Sequence, residues 1–456
     1  MHINKVKGAF FLLIISLIAA GIAVYAAVNQ QVETRHREQV ESDQPDTGED
    51  SGIEEISRAE ESEESRETIS DTEDKGTDVE TQPESNGEAQ SQSTEEDLTG
   101  QRTAEILSQM TIEEKVAQMF FITPEQLTGA DNVTATGDAT KAALDRYPVG
   151  GLVYFAKNLQ TPEQTRSMLQ GAQDYVMQTR GLPLFIGVDE EGGRVLRVGS
   201  NSAFDVEKIQ AMGVLAEQND TEVIHTAAST IGTYLSDLGF NVDFAPDTDV
   251  ITNEANQVIG DRSFGSDPNV VADMAWAYRE GLHEHGILAC YKHFPGHGGT
   301  VEDSHNGYAY SYKTLEELKE IELVPFQSGC DKGIDFIMVS HVSTPNITGS
   351  DIPATLSRQI VTDVLRQEMG YQGIIITDSL NMGAVSEHYS PQEAAVMAVQ
   401  AGCDMLLMSD YFELSYNAVL DAVADGRIRE EDIDASVSRI IETKLGLMES
   451  VRELEQ

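Results

Sequence analysis

Between Lys292 and His305 the chain reads KHFPGHGGTVEDSH, which puts a lysine, three histidines and two carboxylates within fourteen residues. The preceding run, Ile287-Leu288-Ala289-Cys290-Tyr291, has the apolar character of a buried strand. Pro295 removes a donor and fixes φ, and Gly296, Gly298 and Gly299 favour turns, so no helix continues from it. Polar groups this dense on a loop leaving a buried strand point to an active site. Three chemistries compete for them. His293 and His297 have the spacing of a metal-binding HxxxH pair, but that pair needs a helix and Pro295-Gly296 forbids one. A polar loop whose histidines only bond backbone is the second reading. The third, which we favour, is acid/base work by a carboxylate–histidine pair, Asp303-x-His305, in which the carboxylate orients the imidazole and stabilises its charged form. Neither a metal nor a cofactor is expected.

Such a loop needs a rigid support. From Leu98 onward, eight short apolar runs recur with helical segments between them: Ala117–Ile122, Gly151–Phe155, Leu184–Val188, Val242–Ala245, Leu288–Tyr291, Phe336–Val339, Gly373–Ile376 and Met405–Met408. Helical period marks Thr103–Gln118 (with a start signal at Thr111 and Glu114), Thr221–Leu238, Thr314–Lys332 and Pro391–Ala401. Near-continuous apolar strands alternating with helices mean a parallel sheet covered on both faces. Eight such units predict an α/β fold of the (β/α)8 TIM-barrel type as a single catalytic domain. An open doubly wound sheet is the alternative, although no GxGxxG opens a helix.

Barrel sites gather at the carboxyl ends of the strands. Just past the apolar runs stand Asp189-Glu190-Glu191-Gly192-Gly193-Arg194, Asp247-Thr248-Asp249, Lys292-His293, Ser340-His341, Thr377-Asp378-Ser379 and Ser409-Asp410. One such group reads as a helix cap; six together read as a site. It is polar and acidic without a phosphate-cradling loop, which suits a neutral, hydroxyl-rich ligand such as a sugar.

The 456 residues carry a net charge of −48. It divides as about +2 over residues 1–40, about −19 over 41–100 and about −31 over the rest. Nucleic acid is therefore not an expected partner. Three scattered cysteines, Cys290, Cys330 and Cys403, make no disulfide framework. Gly8–Val28 is 21 residues without a charge, behind Lys5 and Lys7. As a helix it would be about 31 Å long, enough to span a bilayer. We read residues 1–37 as an uncleaved membrane anchor spanning at 8–28, with the bulk of the chain outside the cell; cleavage after Val24-Tyr25-Ala26 and secretion is the alternative. Residues 38–98 are acidic and polar, too poor in apolar surface to fold, and are expected to be a disordered linker reaching on the order of 45 Å. Residues 99–456 form the expected barrel domain, and a monomer is the expectation.

KHFPGHG followed by DSH, VDEEGGRVLR at Val188–Arg197, NVDFAP at Asn241–Pro246, IGDRSFG at Ile259–Gly265 and ITDSLNMGA at Ile376–Ala384 together resemble glycoside hydrolase family 3, in its β-N-acetylhexosaminidase branch, over roughly residues 100–450. The resemblance implies a barrel and a retaining mechanism, with Asp378 as nucleophile and an Asp303–His305 dyad as general acid/base. It implies sugar binding by Asp189, Arg197, Arg262, Lys292, His293 and His341. Lys292 and the arginines would keep Asp378 ionised. Departures are Gly299 where the family commonly has aspartate, Glu190 where it has glutamine, and Asp247-Thr248-Asp249-Val250 where it has VVDV. Many relatives carry a second domain that supplies an acid/base glutamate; this chain runs into a charged helix near Leu445–Gln456, which leaves the dyad as the expected acid. The implied function is release of terminal β-linked N-acetylglucosamine from wall glycan fragments. Alternatives are a β-N-acetylglucosaminide phosphorylase, a β-glucosidase or β-xylosidase, and a non-catalytic glycan-binding surface protein.

Overall fold

Each of the eight apolar runs overlaps a barrel strand. A computed structural model describes residues 88–300 and 307–454. The expected span at Gly8–Val28, the linker as far as residue 87, and Asp303 and His305 lie outside the described residues. Among the described residues no helix is long and apolar enough to cross a membrane. Strands β1 (Phe120–Ile122), β2 (Gly151–Val153), β3 (Phe185–Val188), β4 (Val242–Asp243), β5 (Leu288–Phe294), β7 (Phe336–Val339), β9 (Ile374–Thr377) and β10 (Leu406–Leu407) form one parallel sheet in the order β10-β1-β2-β3-β4-β5-β7-β9. A parallel bridge, Ile376 to Met405, brings β9 back to β10, so the sheet closes into a barrel. A separate pair, β6 (Ala309–Tyr310) and β8 (Val342–Ser343), lies beyond the carboxyl end of β7.

Shape complementarity fills the barrel. Phe121 lies edge-on to Phe244 at 5.1 Å between ring centroids. It has this room because neighbouring strands present glycine: a Cβ on Gly151 or Gly187 would come within 2.7 or 2.8 Å of the Phe121 ring. The barrel strands are buried along their whole length, which is why they read as nearly continuous apolar runs, interrupted by Asp243 in β4, rather than alternating ones. Cys290 and Cys403 are buried free thiols and Cys330 is partly buried.

Helices differ from expectation at three places. The segment expected as one helix over Thr103–Gln118 is two, Glu88–Gln109 and Ile112–Gln118. They separate at the start signal: the Glu114 N–H donates to the Thr111 hydroxyl and the Thr111 N–H donates to the Glu114 carboxylate, at 3.2 and 3.1 Å. The first helix begins inside the stretch expected as linker; its Ile106 and Leu107 pack on the core, a partner that a composition argument does not see. The third difference is the segment Thr314–Lys332, which splits into Leu315–Glu320 and Leu323–Lys332. Glu322, at the break, is drawn into the interior, where its carboxylate accepts from Lys313 and from the Thr252 hydroxyl.

Candidate active site

The carboxyl ends of the strands surround a cavity of about 340 Å³. Asp189, Arg197, Arg262, Lys292, His293 and Asp378 all line it, with Glu191, Ser379 and Asn381. Its apolar wall comes from Phe155, Phe244, Met338, Met382, Leu407 and Met408, among others. A small, mixed lining of this kind fits a single small ligand.

Lys292 and His293 are consecutive, yet both face the cavity. A regular strand would turn them to opposite faces. The pairing of β5 with β7 shifts register between Tyr291 and Phe294, and an irregularity of this kind re-aims side chains. Both residues thus belong to β5 itself rather than to the loop after it. The loop that follows is pinned from β4's side: Asp249 accepts from the His297 N–H at 2.5 Å, and the His297 carbonyl accepts from the Asn256 amide at 2.8 Å. Gly298 is required there, because a Cβ would sit 2.1 Å from the Val250 carbonyl oxygen.

Charge in the cavity is organised around Glu191. Its carboxylate takes Arg262 in a two-point contact, Nε at 2.7 Å and Nη2 at 2.8 Å. It also takes the Lys292 ammonium at 2.6 Å. Burial alone would raise the Glu191 pKa, but the two cations override it and hold it well below the usual carboxylate range. Burial likewise opposes the charge on Lys292, and Glu191 and Asp189 outweigh it, so its pKa is raised. Lys292 also reaches Asp189 at 3.2 Å, and Asp189 in turn meets Arg197 at 3.4 Å. A lysine and two arginines are thereby held at fixed positions in a cavity that the nucleophile candidate shares.

His293 is neutral in this setting. Its Nδ1–H donates to Asp249 at 2.7 Å, and Nε2 accepts from the Arg262 guanidinium at 3.3 Å, since arginine can only donate. Burial, reinforced by Arg262, lowers its pKa to about 4. Asp378 follows β9; its N–H donates to the Val339 carbonyl at 2.9 Å, and its Oδ1 accepts from the Ser379 N–H at 2.7 Å.

His341 is placed differently from the other expected sugar-binding residues. It does not line the cavity; it is fully buried, and its Nε2–H donates to the Ser379 carbonyl at 2.8 Å. It fixes the backbone beside Asp378. Ser340 and Ser409, two more of the strand-end residues, are also spent on the scaffold, the first on the Phe294 carbonyl and the second on Ser415. Glu190 is likewise structural: its carboxylate accepts from the N–H groups of Arg197, Val198 and Gly199 and from the Tyr234 hydroxyl, which shapes the loop carrying Arg197. Sequence reasoning placed Glu191 in the strand-end group but gave it no role of its own; the signal was a second carboxylate in VDEEGGR, opposite an arginine in IGDRSFG.

Asp247, Asp249 and His293 place ligand-type atoms within 4.8 Å of one another. Arg262 lies 3.3 Å from Asp247 Oδ2, and the Asp249–His293 pair is already joined by a hydrogen bond. A guanidinium therefore supplies the positive charge that this cluster needs. Asp247 remains the least well compensated member. Burial, with Asp249 and Glu191 adding to it and Arg262 and His293 opposing, raises its pKa to about 7. The folded state thus holds a proton between pH 4 and 7 that the unfolded state has released, so the penalty for Asp247 grows through that window and is complete above it. Asp247→Val should accordingly raise the melting temperature at pH 8 and change it little near pH 4.5. A gain that is the same at both pH values would show that titration of Asp247 is not its source.

The sequence pattern described as "Glycosyl hydrolase family 3 N terminal domain" matches residues 111–443. The chain is 34% identical to beta-hexosaminidase A of Pseudoalteromonas piscicida over 334 residues, 68% of this chain and 56% of that protein. It is 35% identical to the beta-hexosaminidase LpqI of Mycobacterium tuberculosis over 315 residues, 67% of this chain and 78% of that one. Among solved structures, a family 3 beta-N-acetylglucosaminidase from Paenibacillus sp. str. FPU-7 superposes with a TM-score of 0.69 at 35% identity, covering 76% of this chain and 64% of its own. The chain thus spans little more than half of the Pseudoalteromonas protein and less than two thirds of the Paenibacillus one. With the pattern covering the whole barrel and the cavity lined by the residues that its motifs carry, the chain belongs to glycosyl hydrolase family 3.

Proposed function

We propose that this barrel is a retaining exo-β-N-acetylhexosaminidase that releases terminal β-linked N-acetylglucosamine from cell-wall glycan fragments. The observation that carries the reading is Asp378 at the carboxyl end of β9, lining a small cavity with Lys292, Arg197 and Arg262. The names of the relatives, beta-hexosaminidase and beta-N-acetylglucosaminidase, support the substrate class. Retaining hydrolysis needs a carboxylate to attack the anomeric carbon and an acid to protonate the departing oxygen. In this reading Asp378 forms the glycosyl ester. His305, oriented by Asp303, protonates the leaving oxygen and then activates water. Lys292, Arg197 and Asp189 hold the sugar hydroxyls, beside His293, whose Nε2 lone pair is already taken by Arg262. We propose further that Gly8–Val28 anchors the chain and that the acidic stretch behind it holds a monomeric barrel outside the cell.

Product analysis on purified muropeptides, with and without phosphate, tests the reaction. Free N-acetylglucosamine in both conditions is the expected result. A sugar 1-phosphate that appears only with phosphate would make the protein a phosphorylase, and no product at all would make it a binding protein.

A further inference from the structure

Three tyrosines, Tyr308, Tyr310 and Tyr312, alternate along one short extended segment, so their side chains fall on the same side. The segment is β6 with its flanks, and it pairs with β8: Ala309 opposite Val342, Tyr310 opposite Ser343, and the Ser311 N–H donating to the Ser343 carbonyl at 2.9 Å. β8 begins one residue after His341, whose ring holds the carbonyl of Ser379, the neighbour of Asp378. The rings form a column. His388, on the segment that follows the Asp378 turn, stacks on Tyr308 at 4.2 Å with planes 10° apart. Tyr308 leans on Tyr310 at 6.0 Å, and Tyr310 stacks on Tyr312 at 5.6 Å with planes 7° apart. The column ends in solvent, with Tyr312 65% exposed, and the Asn346 side-chain amide donates to the Tyr312 carbonyl.

Such a column does little for the core, since its outer member is wet. What it does is fix the orientation of an exposed aromatic face on the β6–β8 pair, beyond the carboxyl end of β7, so that little rotamer entropy is lost when that face is covered. A β-linked amino-sugar ring has broad C–H faces and an equatorial rim of polar groups, which complements an aromatic plane with a hydroxyl at its edge. The cavity of about 340 Å³ is at the small end for ligand sites. It accommodates the ring whose anomeric carbon reacts and leaves the rest of a glycan outside.

We propose that the Tyr308–Tyr310–Tyr312 column is a leaving-group subsite, on which a sugar unit beyond the scissile bond stacks against Tyr312. The proposal rests on the hydrolytic reading for its choice of occupant, a chain of β-linked N-acetylamino sugars, but its test does not require turnover. Binding is measured by calorimetry on the full chain carrying Asp378→Asn, with N-acetylglucosamine and with its β-1,4-linked tetrasaccharide as probes. Adding Tyr312→Ala should weaken the tetrasaccharide about tenfold and leave the monosaccharide within about twofold; Tyr312→Trp should restore tetrasaccharide binding. Unchanged tetrasaccharide affinity, an equal loss for both sugars, or failure of the tryptophan variant to restore binding would each overturn the subsite. The hydrolytic reading is tested separately, by turnover of N-acetylglucosaminyl fluoride, whose leaving group has no ring to stack, on the unsubstituted enzyme. Binding that depends on Tyr312 without fluoride turnover would keep the subsite and remove the reaction.

Discussion

Asp378→Ala should lower turnover by a factor on the order of 10⁴ or more while the barrel stays folded. Asp378 follows β9 and lines the cavity, and its backbone N–H, not its side chain, makes the 2.9 Å bond to Val339. That strand-to-strand bond survives truncation at Cβ. What disappears is the carboxylate, together with the Oδ1 contact to the Ser379 N–H. With Asp378 as nucleophile the substituted enzyme can bind a sugar but cannot form the ester, and the space vacated admits a small anion. Azide should therefore restore turnover of an activated aryl glycoside and give an α-glycosyl azide, because the anion attacks from the face that Asp378 occupied. Near wild-type turnover without azide, or a β-azide product with it, would place the nucleophile elsewhere.

The barrel was legible because each strand is buried on both faces, so nearly continuous apolar runs of four to six residues recur with helices between them. What escaped was set by partners distant in sequence. Glu322 sits in the middle of a good helical pattern, and the break there answers to Lys313, Thr252 and the close approach of Gly296, where an added Cβ would lie 2.7 Å from the Glu322 Cβ. The helix Glu88–Gln109 looks like linker until Ile106 and Leu107 find the core. In the site, Asp189, Arg197, Arg262, Lys292, His293 and Asp378 carry distinctive motifs and do come together around one cavity. His341 shows the limit of that reasoning. Its motif places it at a strand end, but whether the ring enters the cavity or turns under Ser379 depends on the path of β8, which local sequence does not specify. The role of Glu191 escaped for the opposite reason. A carboxylate beside glycines reads as a loop residue until the Arg262 loop, 71 residues further on, is folded against it.

Glu191→Ala should therefore be the most damaging change outside the reacting atoms, with a loss of about 3–5 kcal/mol in folding stability and a fall in kcat/KM on the order of 10² in whatever folds. The substitution leaves the Lys292 ammonium and the Arg262 guanidinium buried, with Asp189 at 3.2 Å from the first and Asp247 at 3.3 Å from the second. Both partners are weaker substitutes: neither contact is the two-point grip that Glu191 gives Arg262, and Asp247 is partly protonated near pH 7. Lys292 and Arg262 would then shift toward those carboxylates and out of register with a bound sugar. The pH dependence separates this account from simple loss of packing. The folded-state pKa of Glu191 is depressed, so its contribution is fully present above the unfolded pKa of about 4.5 and declines as pH falls from there toward the folded value. Denaturant melts should show a large gap between wild type and Glu191→Ala at pH 5.5, narrowing below pH 4.5. A gap that stays the same down to pH 3.5 would mean that Glu191 acts by filling space, and the ion network would lose its place as the support for Lys292 and Arg262.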